Sequence, residues 1–142
     1  MNYGIIGEYP TPLNDDQVKC YVSVLLCVAD VDGISSGEMS LIRDLAANAN
    51  VSNQIVDECL EGYKSFDLGN LPDYNLQWAN CILRDAILIA DCDDGISEDE
   101  ASYLKQVANF AGIEDNFERI KNLTLSAKAN AEEWESMLAE AI

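Results

Sequence analysis

Apolar residues recur along this chain at helical spacing, and in two stretches they wrap most of a helix. Residues 15–31 carry Val18, Tyr21, Val22, Leu25, Leu26, Val28 and Ala29. Residues 74–90 carry Leu76, Trp78, Ala79, Ile82, Leu83, Ala86, Ile87 and Ile89. A helix with so little polar surface belongs in the middle of a bundle. The other periodic stretches carry one stripe each and predict outer helices. Residues 35–48 place Met39, Ile42, Leu45 and Ala46 on one side; 53–66 use Ile55, Val56, Cys59, Leu60 and Tyr63. Residues 97–111 use Leu104, Val107 and Ala108; a helix from 115 or 116 to 128 follows, and 131–141 closes the chain with Trp134 and Leu138. Asn14 or Asp15, Ser35, Ser52 and Ser97 stand where N-caps are needed.

Breakers set the boundaries. Gly4, Gly7, Pro10 and Pro12 mark residues 1–13 as an irregular arm, and Gly69 and Pro72 mark 67–73 as the hinge between halves. With no strand pattern, the expectation is an all-α protein: about seven helices in a single bundle over residues 14–142. The chain also repeats itself. Gly33 aligns with Gly95, Ser35 with Ser97, Glu38 with Glu100, Ile42 with Leu104, Ala46 with Ala108 and Val51 with Ile113, all at an offset of 62. Residues 15–66 and 74–128 therefore read as two copies of one unit, an internal pseudo-two-fold duplication.

Composition narrows the chemistry. The 26 acidic and 8 basic residues give a formal net charge of -18, which argues against nucleic acid or an anionic membrane surface as partner. Cations, basic proteins or simple solubility remain. The absence of histidine removes Ser-His-Asp and Cys-His catalysis. No phosphate-binding glycine loop is present, and the expectation is a protein that is not an enzyme. Five cysteines without a C-x-x-C pair read as buried reduced thiols of a cytoplasmic protein. The longest apolar run, residues 21–29, is too short to span a bilayer, so no membrane insertion is expected. Arg84-Asp85, inside an apolar helix, reads as an outward-facing pair rather than a buried one.

The two helix corners hold the densest candidate chemistry. They read V-A-D-V-D-G-I-S-S-G-E (28–38) and I-A-D-C-D-D-G-I-S-E-D-E (89–100). Gly33 and Gly95 sit where a helix end favours positive φ, and each Ser-x-x-Glu is a capping box. Capping suffices to explain Glu38 and Glu100. Asp30, Asp32, Asp91, Asp93 and Asp94 cluster at helix C-termini, where the dipole disfavours anions by about 0.3–1 kcal/mol each. Carboxylates beside unpaired carbonyls form the hard-oxygen setting that Ca²⁺ or Mg²⁺ prefers; a hydrated acidic loop is the alternative. An EF-hand register fails, because Val28 and Ala90 would occupy its first ligand position.

An A-D-x-x-G-I-S-x-x-E-type corner, repeated in an acidic helical chain of this size, resembles the TerB family of tellurite-resistance proteins, over roughly residues 15–142. The same module occurs in a membrane-anchored co-chaperone. The resemblance implies a seven-helix pseudo-two-fold bundle, divalent-cation binding and a role in stress resistance. It also implies partners in a stress-resistance assembly, membrane-associated ones included. The family's acidic motif falls on Asp30, Asp32, Glu38, Asp91, Asp94 and Glu100; Asp93 joins them on its own chemistry. The second corner is one residue longer and richer in aspartate, which makes it the better cation candidate. The other reading is an acidic module that docks a basic partner without metal.

Overall fold

A computed structural model describes residues 9–93 and 95–140; the start of the expected arm, Asp94 and the end of the expected closing helix lie outside them. The described residues form six α-helices and no strand. These are α1 (Asp15–Ala29), α2 (Ser36–Asn48), α3 (Asn53–Gly62), α4 (Leu76–Ala90), α5 (Glu98–Phe110) and α6 (Phe117–Glu140). Single turns of 3₁₀ helix follow α1 and α3, and others lie at Leu68–Asn70 and Glu114–Asn116. Asn14, Ser35, Ser52, Ser97 and also Asn75 each accept a backbone N–H of their helix's first turn. Such caps contribute about 1 kcal/mol apiece.

The two helices with wraparound apolar character are the centre. Tyr21 to Leu26, Val28 and Ala29 of α1 are buried, as is every residue of α4 from Ile82 to Ala90. The central pair pack on each other; α2 and α3 lie against α1, and α5 and α6 lie against α4. Each centre also touches the other half's second helix, α1 with α5 and α4 with α2. Both second helices end alike. Asn50 (φ 61) and Gly112 (φ 77) turn left-handed, and the next residue's N–H reaches back to Ala46 or Ala108 at 2.8 Å.

The seven expected helices become six because the last two are one. Nothing between Phe117 and Glu140 stops a helix: there is no glycine or proline, and alanines stand at 127, 129 and 131. Asn130 is only a modestly poor helix former and does not end the helix. The 67–73 link is also fastened more firmly than its breakers suggest. Leu68 is buried, Gln17 Nε2 donates to the Asp73 carbonyl at 2.9 Å, and the Tyr74 hydroxyl donates to that of Gln17 at 2.6 Å. Of the five free cysteines only Cys59 is fully buried; the other four are half-buried.

The Arg84-Asp85 pair faces inward, contrary to the sequence expectation. Asp85 is 0 % exposed and Arg84 8 %. Because α4 has apolar neighbours on nearly all sides, no outer face was available to them. Arg84 Nε donates to Asp85 Oδ1 at 2.9 Å, while the Tyr9 and Tyr21 hydroxyls donate to Oδ2 at 2.7 and 2.6 Å. Tyr9 stacks on Trp78, whose Nε1 donates to the Thr11 carbonyl at 2.7 Å. One carboxylate therefore ties the arm, α1 and α4 together. Asp85→Ala should destabilise by about 3–5 kcal/mol in urea unfolding, since it strands a buried guanidinium. Tyr21→Phe should cost about 1.5–3 kcal/mol, the worth of one hydrogen bond to a charged group. A loss below 1 kcal/mol in Asp85→Ala would show that the carboxylate is dispensable.

Candidate functional site

Both corners have the local build their sequences specify. After α1 and after α4 the chain turns through Gly33 (φ 87) and Gly95 (φ 89), a backbone region where a side chain is strained. Both capping boxes close. Ser35 N–H donates to Glu38 Oε1 at 2.8 Å and Glu38 N–H to Ser35 Oγ at 3.0 Å. The corresponding distances between Ser97 and Glu100 are 2.9 and 3.1 Å. Each glutamate is drawn down onto its own helix start, and Glu38 and Glu100 are only 6 % and 5 % exposed.

The corners face each other. Ser97 Oγ, capping α5, donates to Asp32 Oδ2 of the first corner at 3.0 Å. In the opposite direction, Asp93 Oδ1 lies 3.2 Å from where a Cβ on Gly37 would stand, over the first turn of α2. Each aspartate thus leaves the unfavourable end of its own helix and sits at the favourable N-terminal end of a helix in the other half. Gly37 makes room for this approach; its cost in helix propensity has a packing reason.

The remaining aspartates are engaged elsewhere. Lys128 of α6 brings its ammonium to the end of α4, donating to the Asp91 carbonyl at 2.9 Å and to Asp91 Oδ2 at 2.8 Å. A cation at that helix end is what the dipole favours, and it comes from a distant part of the chain. Asp30 faces Tyr63, whose hydroxyl is pushed up by burial and then by the charge of Asp30 and a hydrogen bond to it. The Cys92 thiol is also pushed up, by burial first and then by Asp93. It is a poor nucleophile.

What remains unbalanced is the junction itself. Burial raises the Glu38 carboxyl above its ordinary range, the bonds to Ser35 oppose that rise, and the negative charges of Asp93 and Glu100 push it further. Glu38, Asp93 and Glu100 are therefore electrostatic neighbours across the two corners. Their oxygens are the right donors for a hard cation. Yet among the described residues no three acidic or thiol side chains converge in a group that could hold a metal ion. Asp94, the remaining member of the expected set, lies outside the described residues.

Sequence reasoning found the capping residues and the carboxylates but missed their partners. Lys128 and Tyr63 carry no local signal of the aspartates they meet, 37 and 33 positions away. The burial of Asp85 did have a signal, in a helix with no polar face. Comparison with family models, curated proteins and solved structures finds no match to the chain.

The raised Glu38 carboxyl sets a pH dependence. A folded-state pKa above the unfolded value means that the folded chain gains stability as pH falls through the folded value towards the ordinary carboxylate range. Glu38→Gln keeps the capping bond without the charge. It should raise the melting temperature at pH 7 and flatten the gain that wild type shows as pH falls towards the ordinary carboxylate range. Parallel pH profiles of the melting temperature for the two proteins would show that neither burial nor the charges of Asp93 and Glu100 strain the Glu38 carboxylate.

Proposed function

We propose that this chain is a non-catalytic, TerB-like helical module of a stress-resistance assembly, and that it docks a basic, groove-bearing protein partner through α6. Its two halves read as copies of one three-helix unit. Support comes from the matched capping boxes, the two positive-φ glycines at the corners, and the left-handed Asn50 and Gly112.

The observation that carries the docking reading is the last part of α6. Trp134, Met137 and Leu138 are 57, 54 and 61 % exposed, and Leu123 is 60 % exposed. On a helix turning ~100° per residue these four fall within a stripe roughly 100° wide. Large contiguous apolar exposure marks an interaction site. Glu133, Glu135 and Glu140 flank the stripe, which favours a partner groove lined by apolar side chains and rimmed by Lys or Arg. Trp and Met are residue types enriched at interface centres. The mode would be a helix laid in a groove.

An engineered helical peptide with one Leu-rich and one Lys-rich face supplies a probe of this chemistry. Trp134 emission should shift to the blue on titration with it, and the shift should weaken at high salt. Met137→Glu with Leu138→Glu should abolish it while leaving the melting temperature within about 1 °C, because both side chains are exposed. Equal binding by wild type and the double variant would sink the docking reading.

Divalent-cation binding at the junction is a second reading, favoured by one observation: Asp93 and Glu100 push the buried Glu38 carboxyl up. On that reading Ca²⁺ at 100 times its dissociation constant stabilises by about 2.7 kcal/mol. Glu100→Gln, which keeps the cap, should remove the specific part. Identical shifts with Ca²⁺, Mg²⁺ and ionic-strength-matched Na⁺ would reduce the effect to screening of the -18 charge.

A further inference from the structure

A cleft of about 410 Å³ opens between α4 and α6, within the roughly 300–1,000 Å³ usual for small-molecule sites. Asn80 and Arg84 line it from α4; Asn116, Arg119, Ile120 and Leu123 line it from the α6 side. Two of the chain's three arginines therefore meet in one cleft, on a molecule of net charge -18. None of the lining residues is acidic.

Arg84 is the unusual member. It is more than nine-tenths buried, its Nε is used by Asp85, and its guanidinium lies 5.1 Å from the centre of the Tyr9 ring. Its Nη2 has no hydrogen-bond partner among the described residues. Asp85 is already engaged at both oxygens, Oδ1 by Arg84 Nε and Oδ2 by two tyrosines. One turn earlier on the same helix, Asn80 Oδ1 is likewise buried without a partner. A buried donor on a permanent cation is expensive to leave unpaired, and a terminal guanidinium nitrogen is a good match for a carboxylate oxygen. The Asn80 amide can turn to offer N–H to the same group. Ile120 and Leu123 provide an apolar wall, and Arg119 a second cation.

We propose that this cleft binds a small organic monocarboxylate with a short apolar tail. The carboxylate accepts from the Arg84 guanidinium, whose buried Nη2 a small side-chain shift would bring to the ligand; Arg119 adds a second positive charge, and the tail lies on Ile120 and Leu123. Monocarboxylate fits better than phosphate, because one buried N–H and one amide cannot replace the hydration of a doubly charged anion, whereas the apolar wall gains from covering a tail. The site is separate from the corners and does not depend on the α6 docking reading.

The test is titration of the ¹⁵N-labelled full chain with hexanoate, inorganic phosphate and chloride at matched ionic strength. Hexanoate should give saturable shifts of the Arg84 side-chain Nε–H and of backbone amides at 80–84 and 116–124, with millimolar affinity. Arg119→Gln should weaken binding several-fold. Leu123→Glu, an exposed position, should weaken it at least tenfold; neither variant touches the Asp85 network. Shifts by chloride equal to those by hexanoate, saturation by phosphate alone, or hexanoate affinity unchanged in both variants would each overturn the proposal.

Discussion

The carboxylate of Asp85 is the constraint on which the packing of this molecule depends. It lies with no exposure between two helices that are themselves almost fully enclosed, and it accepts from three side chains drawn from the arm, α1 and α4. A buried charge is tolerable only where its hydrogen-bonding capacity is met. That requirement dictates where Tyr9 must go, hence how the arm crosses α4, hence why Trp78 is covered. It also joins α1 to α4 directly, through the hydroxyl of Tyr21.

The corners show a related economy. Aspartates at helix C-termini would be a liability in an isolated hairpin, and that liability was the main sequence argument for a cation. The fold resolves most of it internally. Asp32 and Asp93 cross to the starts of α5 and α2, Lys128 closes the end of α4 beside Asp91, and Tyr63 meets Asp30. Asp32 and Asp93 thus join the two halves at helix N-termini, while Asp91 and Asp30 find their partners within their own halves. The residual strain is at Glu38, where burial and two like charges act together.

Those partnerships mark the limit of what sequence discloses. Helix positions, four of the five N-caps and the central role of residues 15–29 and 76–90 follow from local periodicity and side-chain chemistry, which act over three or four residues. The carboxylate partners act over tens of residues and depend on packing, so Lys128 and Tyr63 were invisible. The expected break between residues 128 and 131 is absent for another reason: no glycine or proline stands between Phe117 and Glu140 to end the helix. Arg84 and Asp85 face inward against the sequence expectation, although a helix without a polar side has no face on which to present a charged pair to water.

The exposed stripe on α6 has a colloidal consequence. A chain that leaves Trp134, Met137 and Leu138 in solvent would ordinarily be prone to stick to its own copies. Here the stripe is bordered by glutamates on a body of net charge -18. Two such surfaces approaching each other meet like-charge repulsion that extends over a Debye length of about 8 Å at physiological salt. The acidity therefore opposes the close approach of two copies through this stripe and favours the approach of an oppositely charged surface.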